Sequence, residues 1–109
     1  MKNLADKKCL PCEVGGLPLE SAVVETYSKN VPEWIVAKDK RKISRLFKFA
    51  DFKEAMIFVN KVAALAEGEG HHPDFLIHYS QVTLELWTHE IGGLSENDFI
   101  MASKIDLIG

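Results

Sequence analysis

Four histidines occur in the 109 residues, and all of them fall between positions 71 and 89. His71-His72-Pro73 follows a glycine-flanked segment, His78 lies inside an apolar stretch, and His89 precedes Gly92-Gly93. Imidazole has an ordinary pKa nearer neutrality than any other side chain, so clustered histidines suit proton transfer at pH 7. His71, His72 and His89 are therefore candidates for one cleft, with the Glu67 carboxylate one helical turn before them. Asp98 is a further candidate, although its spacing from Ser95 also makes it a helix cap. His78 alternates between Ile77 and Tyr79 and reads as structural. Metal ligation competes for such a cluster. Residues adjacent in an extended segment point to opposite sides, however, so His71 and His72 make a poor chelating pair. Trp34 and Trp87 read as packing residues, and Lys38-Asp39-Lys40-Arg41-Lys42 as a solvated turn.

These groups need a scaffold, and the pattern along the chain supplies one. Leu19, Val23 and Tyr27 have helical spacing, stopped by Asn30 and Pro32. Trp34–Ala37 is a short strand. Beyond a polar turn, residues 42–49 alternate, with Ile43, Arg45, Phe47 and Phe49 on one face, as the second arm of a β-hairpin. Asp51 and Glu54 have capping-box spacing and open a helix whose predicted core stripe is Phe52, Met56, Val59, Ala63 and Ala66, widened by Val62 and Leu65. Gly68 and Gly70 end it. Residues 75–79 and 82–88 are two more strands. Ser95 with Asp98 is a second capping box, and Leu94 with Phe99 a hydrophobic staple, opening a last helix. The order α-β-β-α-β-β-α, with short turns between strands, predicts an α+β two-layer domain. Its four-stranded antiparallel sheet would carry three helices on one face.

Composition sets the outer bounds. At 47% hydrophobic and 27% charged residues the chain is ordinarily globular and not intrinsically disordered. Its length is that of one domain. Residues 1–16 read as a flexible arm and 17–109 as the folded domain. Thirteen basic and 16 acidic side chains give a net charge of -3, which argues against direct nucleic-acid binding over the whole surface. The apolar runs are too short to span a bilayer. No signal peptide opens the chain, so a cytoplasmic location is expected, with the nucleus added for a eukaryotic source. Thiols stay reduced there. Cys9 and Cys12 have CxxC spacing, but a zinc site would need two more ligands and a redox pair should open a helix after a strand. An incidental or locally structural pair is the simpler reading.

The pattern Glu67-x3-His71-His72-Pro73-x5-Tyr79-x9-His89-x8-Asp98 resembles the signature of the pterin-4a-carbinolamine dehydratases, also known as dimerisation cofactors of a hepatocyte homeodomain factor. Trp34, the Phe47-x-Phe49-x-Asp51-Phe52 run, Ala55, Phe58, Thr88-His89, Gly93-Leu94-Ser95 and Ala102 are similar as well. The likeness covers roughly residues 18–108 and leaves out the arm with Cys9 and Cys12. It implies a hydro-lyase that dehydrates a 4a-hydroxytetrahydropterin to quinonoid dihydropterin in tetrahydrobiopterin recycling, linked to aromatic amino-acid hydroxylases. It implies His71, His72 and His89 as catalytic residues, with Glu67, Pro73, Asp98 and Trp34 binding substrate or supporting the histidines. No metal or redox cofactor is implied. The partners it implies are the pterin and further copies of the chain, as a dimer or tetramer that would cover strand Val82–Trp87 if that strand lay at a sheet edge. The rival function implied is a protein-interaction module, a dimerisation cofactor or transcriptional coactivator.

Overall fold

The computed structural model describes residues 17–108. The flexible arm expected over residues 1–16, with Cys9 and Cys12, lies outside the described residues. The elements are α1 (Ser21–Ser28), β1 (Ile35–Val36), β2 (Ile43–Lys48), α2 (Phe52–Glu69), β3 (Asp74–His78), β4 (Gln81–Leu86) and α3 (Glu96–Ile108). The sheet is antiparallel throughout, in the order β1-β2-β4-β3. This is the α+β fold expected from the sequence.

Alternation along the strands divides the sheet into two faces. On β4, Val82, Leu84 and Leu86 are wholly buried, while Gln81, Thr83 and Glu85 are partly exposed. On β2, Ile43 and Phe47 join the buried face. Arg45 shares that face and pairs with Asp106 of α3 at 2.6 Å, which ties the end of α3 to the sheet. Each fully buried aliphatic side chain contributes about 1.5–3 kcal/mol. This explains why β4, with an unbroken aliphatic face, sits inside the sheet, paired to both β2 and β3. The strand considered as an edge is therefore interior, and the longer edge strand is β3.

Two helix faces meet expectation in part: Val62 and Ala66 are buried, and Leu19, Tyr27, Val59 and Leu65 pack against the core, but the centre of each face is shifted. The buried residues of α2 are Ala55, Phe58, Val62 and Ala66, while Phe52 is 49% exposed. Alanines 55 and 66 let the helix approach the sheet, and Phe58 then packs its ring 4.6 Å from Phe47 and 5.0 Å from Phe49. That aromatic cluster outweighs the aliphatic stripe one position round the helix. On α1 the buried residue is Val24, not Val23. α3 is buried almost all round, from Asn97 to Ser103 and at Ile105.

Candidate active site

His71 is aimed by the way α2 ends. Gly70 adopts the left-handed conformation at φ 70°, which costs a glycine nothing. Its N–H and that of His71 both reach the Ala66 carbonyl, at 2.9 and 3.3 Å. The chain thereby reverses over the last turn, and buried Pro73 fixes its exit towards β3. His71 is turned towards α3, where its Nε2 lies 2.6 Å from Asp98 Oδ1.

Asp98 is fully buried. A carboxylate there needs its lone pairs occupied. Three donors do so: His71 Nε2–H on Oδ1, and the Thr88 hydroxyl and Ser95 backbone N–H on Oδ2, both at 2.9 Å. In its neutral form the imidazole carries its proton on Nε2, as this network assigns it. Nδ1, which no described residue bonds, is left as the open acceptor. Only 11% of the His71 side-chain surface reaches solvent. This is a held, largely buried imidazole with one ring nitrogen bonded and the other open.

His72 is held far more loosely. Its Nε2 lies 3.2 Å from Glu67 Oε2, with side chains 60% and 80% exposed. Such a pair is worth about 0–1 kcal/mol.

His89 opens a single 3-10 turn, His89–Ile91, with Trp87 and Thr88 between it and the end of β4. The loop is closed at its neck by Thr88 N–H to Gly93 O at 2.8 Å and by the return bond at 3.4 Å. Gly92 turns it through φ 65°. Gly93 has no room for a side chain, since an added Cβ would sit 2.7 Å from Pro18 Cβ. The His89 ring stacks on Trp87 with centroids 3.9 Å apart and planes 29° apart. Trp87 donates from Nε1 to Asp74 at 3.2 Å, and the Lys42 ammonium lies 5.9 Å from its ring centre. Trp87 is therefore a platform for His89 as well as a packing residue. Beside it runs a groove of about 460 Å³, lined by Ala37, Asp39, Arg41, Lys42, Trp87 and Gly92.

Thr88 links two of the histidines: it donates to the Asp98 that holds His71 and directly precedes His89 in the chain, while His72 bonds Glu67. Trp34 stands apart from them. It is 4% exposed, packs edge-on against Phe47 and donates from Nε1 to Asp106 at 2.8 Å. Asp106 lies eight residues beyond Asp98 on α3, about 12 Å along the axis. His78 sits on the open face of β3, opposite Gln81. Tyr79, in the next turn at φ 53°, stacks on Phe52 at the other end of β3 from His72. Thr88 and Ser95 were not singled out as site residues in the sequence. Threonine at a strand end reads as an ordinary β-former, and Ser95 is explained by capping alone. Among the described residues no group of three or more His, Cys, Asp or Glu is placed to hold a metal ion. No helix there is long and apolar enough to cross a membrane.

Comparison with known proteins gives the family. The family model for pterin 4 alpha carbinolamine dehydratase matches residues 17–108. A protein of Alkaliphilus metalliredigens, provisionally assigned as a pterin-4-alpha-carbinolamine dehydratase, is 48% identical over 107 residues, covering 97% of this chain and 96% of its own. A counterpart from Halorhodospira halophila with the same provisional assignment is 46% identical, covering 98% of each chain. The crystal structure of a transcriptional coactivator/pterin dehydratase from Brucella melitensis superposes with a TM-score of 0.79 at 32% identity, covering 84% of this chain and 97% of that one. On a match that runs through every described element, the chain belongs to the pterin 4 alpha carbinolamine dehydratase family.

Proposed function

We propose that the protein dehydrates a 4a-hydroxytetrahydropterin to quinonoid dihydropterin and water, by histidine general acid–base catalysis, in tetrahydrobiopterin recycling. The reaction breaks the C4a–O bond and removes the N5 proton, so that a C4a=N5 double bond forms. Hydroxide is a poor leaving group and must be protonated as it departs. One imidazole gives a proton to the leaving oxygen and another takes the proton from N5, so the protons balance over the turnover. His71 and His89 fill these roles, and His72, loosely held, orients the ring. Asp98 sets the tautomer of His71, and Pro73 and Glu67 support the segment that carries the pair. Trp34 serves at a distance, by locking α3 to the sheet. The substrate loses water unaided, so the roughly 10²–10⁴-fold acceleration typical of acid–base groups suffices.

The observation that carries this reading is the 2.6 Å bond that His71 Nε2–H donates to buried Asp98, which leaves Nδ1 open. The Brucella relative is described as a transcriptional coactivator/pterin dehydratase, and a coactivator role by itself does not call for a buried His–Asp pair. The test is the dehydration rate of His71→Ala, His89→Ala and the double variant. Each single change lowers the rate and the double change removes nearly all of it. A double variant as fast as the parent overturns the proposal.

A further inference from the structure

We infer that Thr88 and Ser95 are positioning residues for the His71 imidazole, acting through Asp98. The inference rests on the dehydratase reading for its kinetic consequence, but not for its structural one.

The hydroxyl directions follow from hydrogen count. An ionised Asp98 only accepts, so the hydrogens between it and its neighbours must come from them. Thr88 Oγ1 lies 2.9 Å from Asp98 Oδ2 and 2.7 Å from Ser95 Oγ. Thr88 has one hydrogen to give. Given to Ser95, it would leave its oxygen facing a buried carboxylate oxygen with nothing between. It therefore goes to Asp98, and Ser95 donates to Thr88 in turn. The resulting chain runs from Ser95 through Thr88 to Asp98, with His71 donating to the far oxygen.

A second observation points the same way. A serine at a helix N-cap ordinarily spends its hydroxyl on the backbone N–H at the third position of the helix. Here the Asp98 N–H goes to the Ser95 carbonyl at 3.1 Å, and the hydroxyl is turned to Thr88 instead. Only the carboxylate half of the capping box forms, from Ser95 N–H to Asp98 at 2.9 Å. The cap has given one bond to the network behind His71.

Thr88 also bonds Gly93 through its backbone, which holds the loop carrying His89. Thr88→Val keeps the shape and that backbone ladder but removes the hydroxyl. With one of its three donors gone, the carboxylate is held less firmly, and the heading of the His71 ring with it. A misaligned acid–base group costs up to roughly 100-fold in rate.

The test compares Thr88→Val, Thr88→Ser and the parent by kcat, KM and the proton NMR resonance of His71 Nε2–H. Thr88→Val is expected to lower kcat about tenfold or more with KM within about twofold. Its Nε2–H resonance moves upfield and exchanges faster with water. Thr88→Ser restores both. A Thr88→Val enzyme with parental kcat and resonance overturns the inference, as does a Thr88→Ser enzyme as impaired as Thr88→Val, which would mean that the methyl group is what matters. Ser95→Ala, a change at a half-buried position, serves should Thr88→Val fail to fold: the same resonance must move in the same direction, and an unmoved one overturns the inference. If the parent does not dehydrate the pterin at all, the functional reading falls, and the resonance still decides whether the hydroxyls position His71.

Discussion

Asp98→Asn changes one atom and no volume, and its effect can be worked from the bonds that Asp98 makes. The carboxylate accepts from His71, from Thr88 and from the Ser95 backbone. An amide cannot accept on both sides. With its oxygen towards His71, its NH₂ meets the Ser95 N–H, donor against donor, inside the protein. With its NH₂ towards His71, the imidazole must accept on Nε2 and move its proton to Nδ1, the nitrogen that the proposed mechanism leaves open as acceptor. The first arrangement leaves a buried donor unsatisfied, at a cost of about 1–3 kcal/mol, and the second keeps the bonds but fixes the wrong tautomer. Each kcal/mol lowers Tm by roughly 4–8 °C in a domain of this size. The kinetic cost is larger, because the tautomer is wrong or the ring is displaced. We expect kcat to fall about 100-fold, within the range that acid–base catalysis contributes, with KM changed only a few-fold. Glu67→Gln is the internal contrast. Its pair with His72 is 3.2 Å long and mostly exposed, so its loss should slow the reaction less than about fivefold. Stopped-flow dehydration kinetics and thermal melting of both variants check this. An Asp98→Asn enzyme within twofold of the parent refutes the reasoning.

Other expectations follow from the same structure and sequence. Gly93→Ala drives a methyl into Pro18, 2.7 Å away, and should destabilise the fold by about 1–3 kcal/mol, read as a lower Tm. The exposed edge β3 and the exposed side chains Leu46 and Leu76 on the open face call for a covering copy, so light scattering should give a dimer or tetramer. A mass of 12.2 kDa at micromolar concentration would contradict this. Cys9→Ser with Cys12→Ser should keep the dehydration rate and melt within a few degrees of the parent, since both lie before the family match begins at residue 17. A tenfold rate loss would give the arm a catalytic role.

Local signals made most of the scaffold legible. The Asp51–Glu54 capping box forms, with Asp51 accepting from Glu54 N–H at 2.9 Å, and Gly70 caps the far end of α2. Period-two alternation marked β2 and β4 because one face of each is core. What escaped was set by partners distant in sequence. The buried face of α2 turns on Phe58 meeting Phe47 and Phe49 across the sheet, and hydropathy along one helix cannot express that. The interior place of β4 depends on pairing with β2, on the far side of a helix. In the site, His71, His72, His89 and Asp98 stood out by residue type and spacing. Thr88 and Ser95 did not, since a hydroxyl gains its role from burial and from the direction of one hydrogen. Trp34 was readable as a packing residue, while its bond to Asp106 was not.

The most direct measurement is a stopped-flow trace of quinonoid dihydropterin formation from a 4a-hydroxytetrahydropterin, with the protein, without it, and with the His71→Ala, His89→Ala double variant. The expected result is a first-order rate that rises in proportion to protein concentration, saturates with substrate, and returns almost to the protein-free value in the double variant. A rate that does not depend on the protein, or one that survives loss of both imidazoles, would contradict histidine-catalysed dehydration.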